Sequence, residues 1–417
     1  MKEIARVVLV FGLVYSFQAV AAGFGNVEPA TGGGFGNSVS TWHSQYGKAS
    51  FSIAEGVIRS KSGGYVTVGS IGRDAAMQFA GVADRQIQVS KLDSGGAYLW
   101  SKTYTPFGVK LRGIAKQVKE DDKGNLLVIG DLGKYGSKDR PETRDVFVMK
   151  LDANGEKLWA RKYGGPEANT AGDIALDPDG GYLVLAEKDK EKAAHAWLFK
   201  LSADGDFVGE SLFPKYRLNY MVSVDDGYLL TGPGILKVDR AGREVWYKSG
   251  YPGFVTQLCP DGDGFIVGGN AIQGKLYPAW VGRIDQKGDL SWSHVYQFRK
   301  QKVSTVTALA VQDGAIYAGG SQQVSYSEYN IGYVMKLTPK GEPVWRKLVT
   351  GTKLGSRFTQ MATTSDNGII VSGVTNEDIR YTNGKTLVTG QALVVKFDPD
   401  GATDIFKDDP LRNISVQ

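Results

Sequence analysis

Cysteine is nearly missing from this chain. Cys259 is alone among 417 residues, so no intrachain disulfide can form and the fold must rest on its packed core. The apolar stretch Phe254–Leu258 precedes it, and no His or basic cluster adjoins it to lower its pKa, which predicts a buried structural thiol rather than a nucleophile. Histidine is almost as scarce. His43, His195 and His294 are scattered, which leaves little from which to build a His-based metal cluster or a catalytic triad. There is no Gly-x-Ser-x-Gly nucleophile elbow and no phosphate-binding Gly loop with its Lys. Charge of one sign is lacking too: 49 basic residues against 44 acidic ones leave a net +5 spread along the chain, a poor footprint for a nucleic-acid partner.

Past the N-terminus no run of helical period stands out. The N-terminus itself reads as a secretory signal over residues 1–22. Lys2 and Arg6 supply positive charge, Val7 to Phe17 the apolar core, and Ala19-Val20-Ala21-Ala22 the small residues for cleavage, with Glu3 atypical. A membrane anchor is the alternative, but this apolar run falls short of the roughly 20 residues needed to span a bilayer. No Cys follows it, as a lipid-anchored bacterial lipoprotein would require. The expectation is an exported protein, periplasmic or extracellular, with no transmembrane segment after cleavage.

Glycine, by contrast, is abundant at 55 residues, without a collagen period, and it marks turns. Two outlines recur. One is a turn followed by a short apolar strand, entered at Gly64, Gly124, Gly181, Gly227, Gly264, Gly314 and Gly368. The other is Lys150-Leu151-Asp152-Ala153-Asn154-Gly155-Glu156-Lys157-Leu158-Trp159, whose pattern returns to end at Trp100, Trp246, Trp292 and Trp345. Each unit holds four strand-like runs separated by Asp-Gly and Asn-Gly turns. Seven units of four antiparallel strands predict an all-β, seven-bladed propeller over residues 42–406. Leu126-Leu127-Val128-Ile129 is apolar at both parities, so both faces of its sheet must be covered, as they are when blades stack on blades. The recurring tryptophans are then scaffold, packing between adjacent blades. Unit three has Gly209 at that position and unit seven Ile405, while Trp42 sits in a lone fourth-strand pattern. An N-terminal strand that completes blade seven would remove an open sheet edge. Residues 23–41 are then a Gly-rich linker and 407–417 a polar tail; Asn413-Ile414-Ser415 matches a glycosylation pattern there by chance.

The hairpin outline resembles the tryptophan-docking repeat of the PQQ-like (quinoprotein-type) propellers, and more broadly the propeller repeats of secreted bacterial proteins. That motif has Ala where Lys150 stands and a Thr before its Gly, and seven units differ from the eight usual in those enzymes. The resemblance implies the fold. Quinoproteins generally hold their cofactor with a calcium ion, many against a disulfide of adjacent cysteines, and Cys259 alone cannot supply that disulfide. No cofactor and no metal are therefore expected. Asp261-Gly262-Asp263-Gly264 and Asp398-Pro399-Asp400-Gly401 read as turns, since they lack the further ligands and closing Glu of an EF-hand.

Every repeated residue has a structural task, and no convergent polar set is left for catalysis. The expected function is a monomeric, non-catalytic scaffold for a protein or glycan; the alternative is an enzyme with its site in the central channel, quinoprotein-like or carbohydrate-active. The second-to-third-strand connections vary most in length, from Pro233-Gly234 to Ser70–Arg85, Asp131–Arg144 and Val374–Thr389. They carry Tyr135, Arg140, Tyr277, Tyr326, Tyr329, Arg380 and Tyr381, residue types suited to binding hot spots, on the face of the disc opposite the short turns.

Overall fold

A strand that is apolar on both faces needs cover on both, and this chain supplies it by stacking sheets around a ring. The computed structural model describes residues 41–46, 51–72, 85–108, 111–134, 143–165, 167–190, 193–214, 216–323, 329–349, 355–382, 385–403 and 406–417. Strands are lettered a to d from the channel outward. The chain begins with β1 (Trp42–Tyr46), then makes blade one from β2 (Phe51–Arg59), β3 (Tyr65–Gly72), β4 (Arg85–Leu92) and β5 (Tyr98–Tyr104). Blade two is β6 (Arg112–Glu120), β7 (Leu126–Lys134), β8 (Thr143–Leu151) and β9 (Lys157–Tyr163). Blade three is β10 (Asn169–Leu176), β11 (Tyr182–Lys190), β12 (Ala193–Leu201) and β13 (Phe207–Phe213). The smallest, blade four, is β14 (Tyr220–Val224), β15 (Gly227–Thr231), β16 (Ile235–Asp239) and β17 (Glu244–Lys248). Blade five is β18 (Gly253–Asp261), β19 (Gly264–Ala271), β20 (Ala279–Asp285) and β21 (Leu290–Phe298). Blade six is β22 (Val303–Gln312), β23 (Ala315–Gln323), β24 (Ile331–Leu337) and β25 (Pro343–Val349). Blade seven takes β26 (Gly355–Thr363), β27 (Ile369–Thr382) and β28 (Lys385–Phe397), and the remaining strands are β29 (Phe406–Asp408) and β30 (Ile414–Val416).

The protein is thus an all-β, seven-bladed propeller, closed by its N-terminal strand. β1 pairs antiparallel with β28 as the outermost strand of blade seven. Its register puts Trp42 opposite Lys396, just as Trp159 faces Lys150 and Trp100 faces Lys91 in complete blades.

The core lies between blades rather than within one. Alternate residues of β7 divide it: Leu126 and Val128 join the cluster shared with blade one, while Leu127 and Ile129 join the cluster shared with blade three. All four are essentially inaccessible, and full burial of such a side chain contributes about 1.5–3 kcal/mol. The last interface uses Ile370, Ala392 and Val394 of blade seven against Ala54, Val57 and Tyr65 of blade one, so the ring closes through packing as well as through β1.

Each tryptophan of the repeated hairpin docks on the next blade. Gly155 sits at φ +79° in the c–d turn of blade two, with Asp152 accepting the amides of Asn154 and Glu156. A Cβ on Gly155 would lie 2.9 Å from the Trp100 ring of blade one, and Tyr104 donates to the Gly155 carbonyl at 2.7 Å. The arrangement repeats at Trp159 with Gly205, Trp246 with Gly288, Trp292 with Gly341 and Trp345 with Gly401. The lysine of the hairpin has its own task. Lys150 reaches Asp121 in the a–b turn at 3.1 Å, as Lys200 reaches Asp177 and Lys237 reaches Asp226. All five docking tryptophans are partly exposed, so truncating Trp159 should cost less than the ~3–5 kcal/mol of a fully buried ring.

A matched pair of glycines isolates the docking contact. Gly124 in the a–b turn shares φ +79° with Gly155, but a Cβ there meets nothing closer than 3.9 Å. Gly124→Ala should lose only the left-handed backbone preference, about 1–2 kcal/mol. Gly155→Ala adds the clash with Trp100 and should lose about 1–3 kcal/mol more. Urea unfolding of the two variants measures the difference; equal losses would mean the docked ring gives way freely.

Two segments differ from the expected outline. Val374–Thr389 is not an irregular connection: β27 and β28 continue as a projecting hairpin, with Arg380 opposite Leu387 and Tyr381 opposite Thr386. Ile379, Tyr381, Thr382, Thr386, Val388 and Thr389, β-branched or aromatic, favour the outer part of this extension. The last residues lie along the rim. β29 pairs with β25 and β30 with β21, giving blades six and five a fifth strand, joined by a 3-10 turn at Leu411–Asn413. Phe406 anchors the first of these, stacked on Phe358 and edge-on to Phe397.

Candidate functional site

The channel is lined by the a strands, and six of the seven carry a bulge at the same level. The extra residues are Glu55, Lys116, Gly172, Thr256, Thr307 and Thr359. A bulge re-aims its side chain, and here it aims at the neighbouring a strand. Thr359 donates to the Ala54 carbonyl at 2.9 Å, Thr307 to Phe358 at 2.6 Å and Lys116 to Ala171 at 2.8 Å; Thr256 bonds Val306 likewise. The sequence signal for this belt is an apolar residue, then Thr or Lys, then Gln, as in Val255-Thr256-Gln257, Phe358-Thr359-Gln360 and Ala115-Lys116-Gln117. It is shorter than the hairpin motif and easily passed over.

Below the belt, towards the a–b turns, three blades contribute to one polar cluster. Asp173 is fully buried, and its carboxylate accepts the amides of Ile174 at 2.8 Å and of Met221, in blade four, at 3.2 Å. Burial pushes its pKa up, opposed by the Lys119 ammonium 3.4 Å away. Lys119 also lies over the Tyr220 ring, whose phenol burial pushes well above its ordinary value. Cys259 is half-buried, and burial raises its thiol to about 12, which keeps it protonated at neutral pH.

The remaining candidates of the sequence are dispersed. His43, His195 and His294 fall in blades seven, three and five. Among the described residues no group of three or more His, Cys, Asp or Glu is placed to hold a metal ion. Asp261 and Asp263 both bind Arg283, and Asp398 caps the amides of Asp400 and Ala402, so these carboxylates serve their turns.

The two faces of the disc are unlike. One carries the short a–b and c–d turns; the other carries the b–c and d–a connections. On the latter, Tyr277 is half-buried and tied by its backbone to Lys302 and Ser304 of the neighbouring blade. Tyr329 is exposed at the end of the blade-six connection, and Arg380 and Tyr381 lie near the tip of the β27–β28 hairpin. Tyr135, Arg140 and Tyr326 fall outside the described residues. Blades five, six and seven therefore carry the four placed residues on one face. Two exposed apolar residues that the sequence did not mark for binding join them: Phe254 at the head of β18, and Ile272, whose amide bonds the Pro252 carbonyl. Both follow or precede strand residues of ordinary pattern, and only their place in the ring sets them apart.

Comparison with known proteins places this chain in no family. No family model matches the chain, and no curated protein matches its sequence. The resemblance to quinoprotein-type repeats is therefore one of repeat outline. Among solved structures, the AfRom2 CNH domain is 10% identical, with 85% of this chain and 99% of that one covered and a TM-score of 0.46. Sqt1 from Chaetomium thermophilum is 14% identical, covering 84% and 96%, with a TM-score of 0.45. A puromycin hydrolase mutant is 14% identical with a TM-score of 0.47; 87% of this chain aligns with 55% of that one, so the chain spans about half its length. Among the described residues no helix is long and apolar enough to cross a membrane.

Proposed function

We propose that this protein is an exported, non-catalytic binding scaffold that holds a protein or glycan partner on its b–c and d–a face. The observation that carries this reading is the asymmetry of the disc. On one face the turns repeat a single side-chain cap geometry, Asp in most blades and Ser202 or Thr338 in two; the other bears connections from the three residues between β15 and β16 to a hairpin that outruns its blade. Variable elements on a rigid ring are where binding is commonly placed. Exposed Phe254, Ile272 and Tyr329 on that face supply the apolar contact area an interface uses.

The test is a paired set of variants scored against a partner captured from the native cell envelope. Changing Tyr326, Tyr329 and Tyr381 to Ala should weaken binding by tenfold or more, about 1.4 kcal/mol, with the melting temperature nearly unchanged. Changing Lys157 and Arg243 to Ala, on the opposite face, should leave both binding and melting temperature unchanged. If the second set abolishes binding and the first does not, the disc is used the other way up. Export is tested separately: N-terminal sequencing of the mature protein should begin at Ala22 or Gly23, and a sequence beginning at Met1 would rule it out.

A further inference from the structure

Beneath the bulge belt the channel holds a cavity of about 350 Å³ reached by four blades, but its charges cancel, Arg59, Lys61 and Lys119 against Glu120, Asp122 and Asp173. The outer rim is less balanced. The chain lays its own strands on the fourth strands of two blades: β29 pairs antiparallel with β25, and β30 with β21. Among the described residues β5, β9, β13 and β17 pair on one side only. Such an edge is a template for another strand, and charged side chains, lysine above all, are its usual protection. β5 carries Lys102, β9 carries Lys157, Arg161 and Lys162, and β17 carries Lys248. β13 has neither Lys nor Arg. Its one charged residue is Glu210, and Phe207 and Val208 are 50% and 62% exposed.

β13 also lacks the docking ring. Gly209 lies opposite Lys200, as Trp159 lies opposite Lys150, and a Cβ on Gly209 would meet nothing within 4 Å. The receiving turn of blade four rests elsewhere: a Cβ on Gly242 would lie 3.3 Å from Leu198 and 3.5 Å from Ser211. Blades one, two, four and five each send a tyrosine hydroxyl to the next turn glycine, whereas β13 ends in Phe213, which has none to send. Open space over an edge glycine is what an aromatic side chain on a neighbouring strand fills. The Glu210 carboxylate accepts the Trp197 indole N–H at 2.6 Å and forms no ion pair among the described residues. The cations around it are engaged: Arg161 with Asp206, Lys200 with Asp177, and Lys188 over the Trp197 ring. An opposite charge directly across an antiparallel pair is favourable. A second copy pairing through its own β13 brings no cation, so a different chain fits better.

We propose that the edge of β13 takes up an extended segment of a partner protein, paired antiparallel as β29 and β30 are on their blades. The segment sets an aromatic side chain over Gly209, and a Lys or Arg immediately before that residue lies opposite Glu210. This rim site is separate from the b–c and d–a face, so either reading stands if the other fails.

The probe is the labelled peptide Thr-Val-Lys-Trp-Val-Thr, followed by fluorescence anisotropy and by hydrogen exchange of the protein. It should bind saturably and slow exchange over residues 207–213, but not in β5, β9 or β17. Replacing its Trp by Ala should weaken binding about tenfold, and its Lys by Glu about threefold. N-methylating the amides that face the edge should abolish binding, because strand addition runs through the backbone. Gly209→Trp fills the space from within and should erase the preference for Trp over Ala. Where that variant fails to fold, Glu210→Lys, at an exposed residue, decides: the peptide with Glu should then bind better than the one with Lys. No saturable binding, equal protection of all four edges, an N-methylated peptide that binds like its parent, or a Glu210→Lys variant that keeps the original preference would each overturn the proposal.

Discussion

Deleting residues 23–46 should turn the protein into an aggregating one that melts well below the parent. The deletion removes β1, the fourth strand of blade seven, and leaves Ala392 to Lys396 of β28 as an unpaired edge. Five cross-strand pairs are lost, and at about 0.5–1 kcal/mol each they amount to roughly 3–5 kcal/mol. The exposed edge is the second consequence. β28 is apolar at both parities there, and such an edge is a template for pairing with another copy. Size-exclusion chromatography and urea unfolding read both effects. A truncated protein that stays monomeric with unchanged melting would show that packing between blades one and seven closes the ring unaided.

The second large effect is expected at Arg346. Its guanidinium is 2% exposed, stacked over Phe298 with its carbon 3.6 Å from the ring centre, and bonded to Gln322 and Asp409. Burial pulls its pKa down to about 10, and Asp409 opposes the shift. Asp409 belongs to the C-terminal segment between β29 and β30, so the tail carries the counterion of a charge buried in blade six. Removing one partner of a buried pair strands the other, and Asp409→Ala should cost about 3–5 kcal/mol. Replacing both, as Arg346→Met with Asp409→Leu, should recover most of that loss, because well-packed apolar residues substitute for a buried ion pair at little cost. Urea unfolding of Arg346→Met, of Asp409→Leu and of the double closes the cycle. A loss below about 1 kcal/mol for Asp409→Ala would mean that water reaches the guanidinium and the tail is not a latch.

Much of the architecture was open to reading from the chain itself, because its devices are local. The c–d turn needs Asp to cap two amides and Gly at positive φ within a span of four residues, so Asp152 and Gly155 announce it wherever it occurs. The b strands are apolar at both parities because two blades cover each of them, and Leu126-Leu127-Val128-Ile129 states that in four letters. Closure was legible for the same reason: Trp42 stands in a fourth-strand pattern with no first three strands before it.

Non-local pairing was not open in this way. The hairpin lysines looked like mere departures from a known repeat until the strands placed Lys150 beside Asp121. Nothing in Phe406–Val416 has the length or period of a strand pair, and only the free edges of β25 and β21 make strands of it. The projecting β27–β28 hairpin read as a loop because its extra residues have no blade to bury them. The cavity beneath the bulge belt draws on four blades whose residues are more than 160 positions apart, from Ile58 to Val222, and each contributes two to four residues of ordinary type. Sequence determined the repeated unit, its count and its closure, since hydrogen bonding and strand period act over neighbouring residues. Tertiary structure decided which charges meet, where the tail lies and which outer edges stay bare, since those depend on distances that only the closed ring sets.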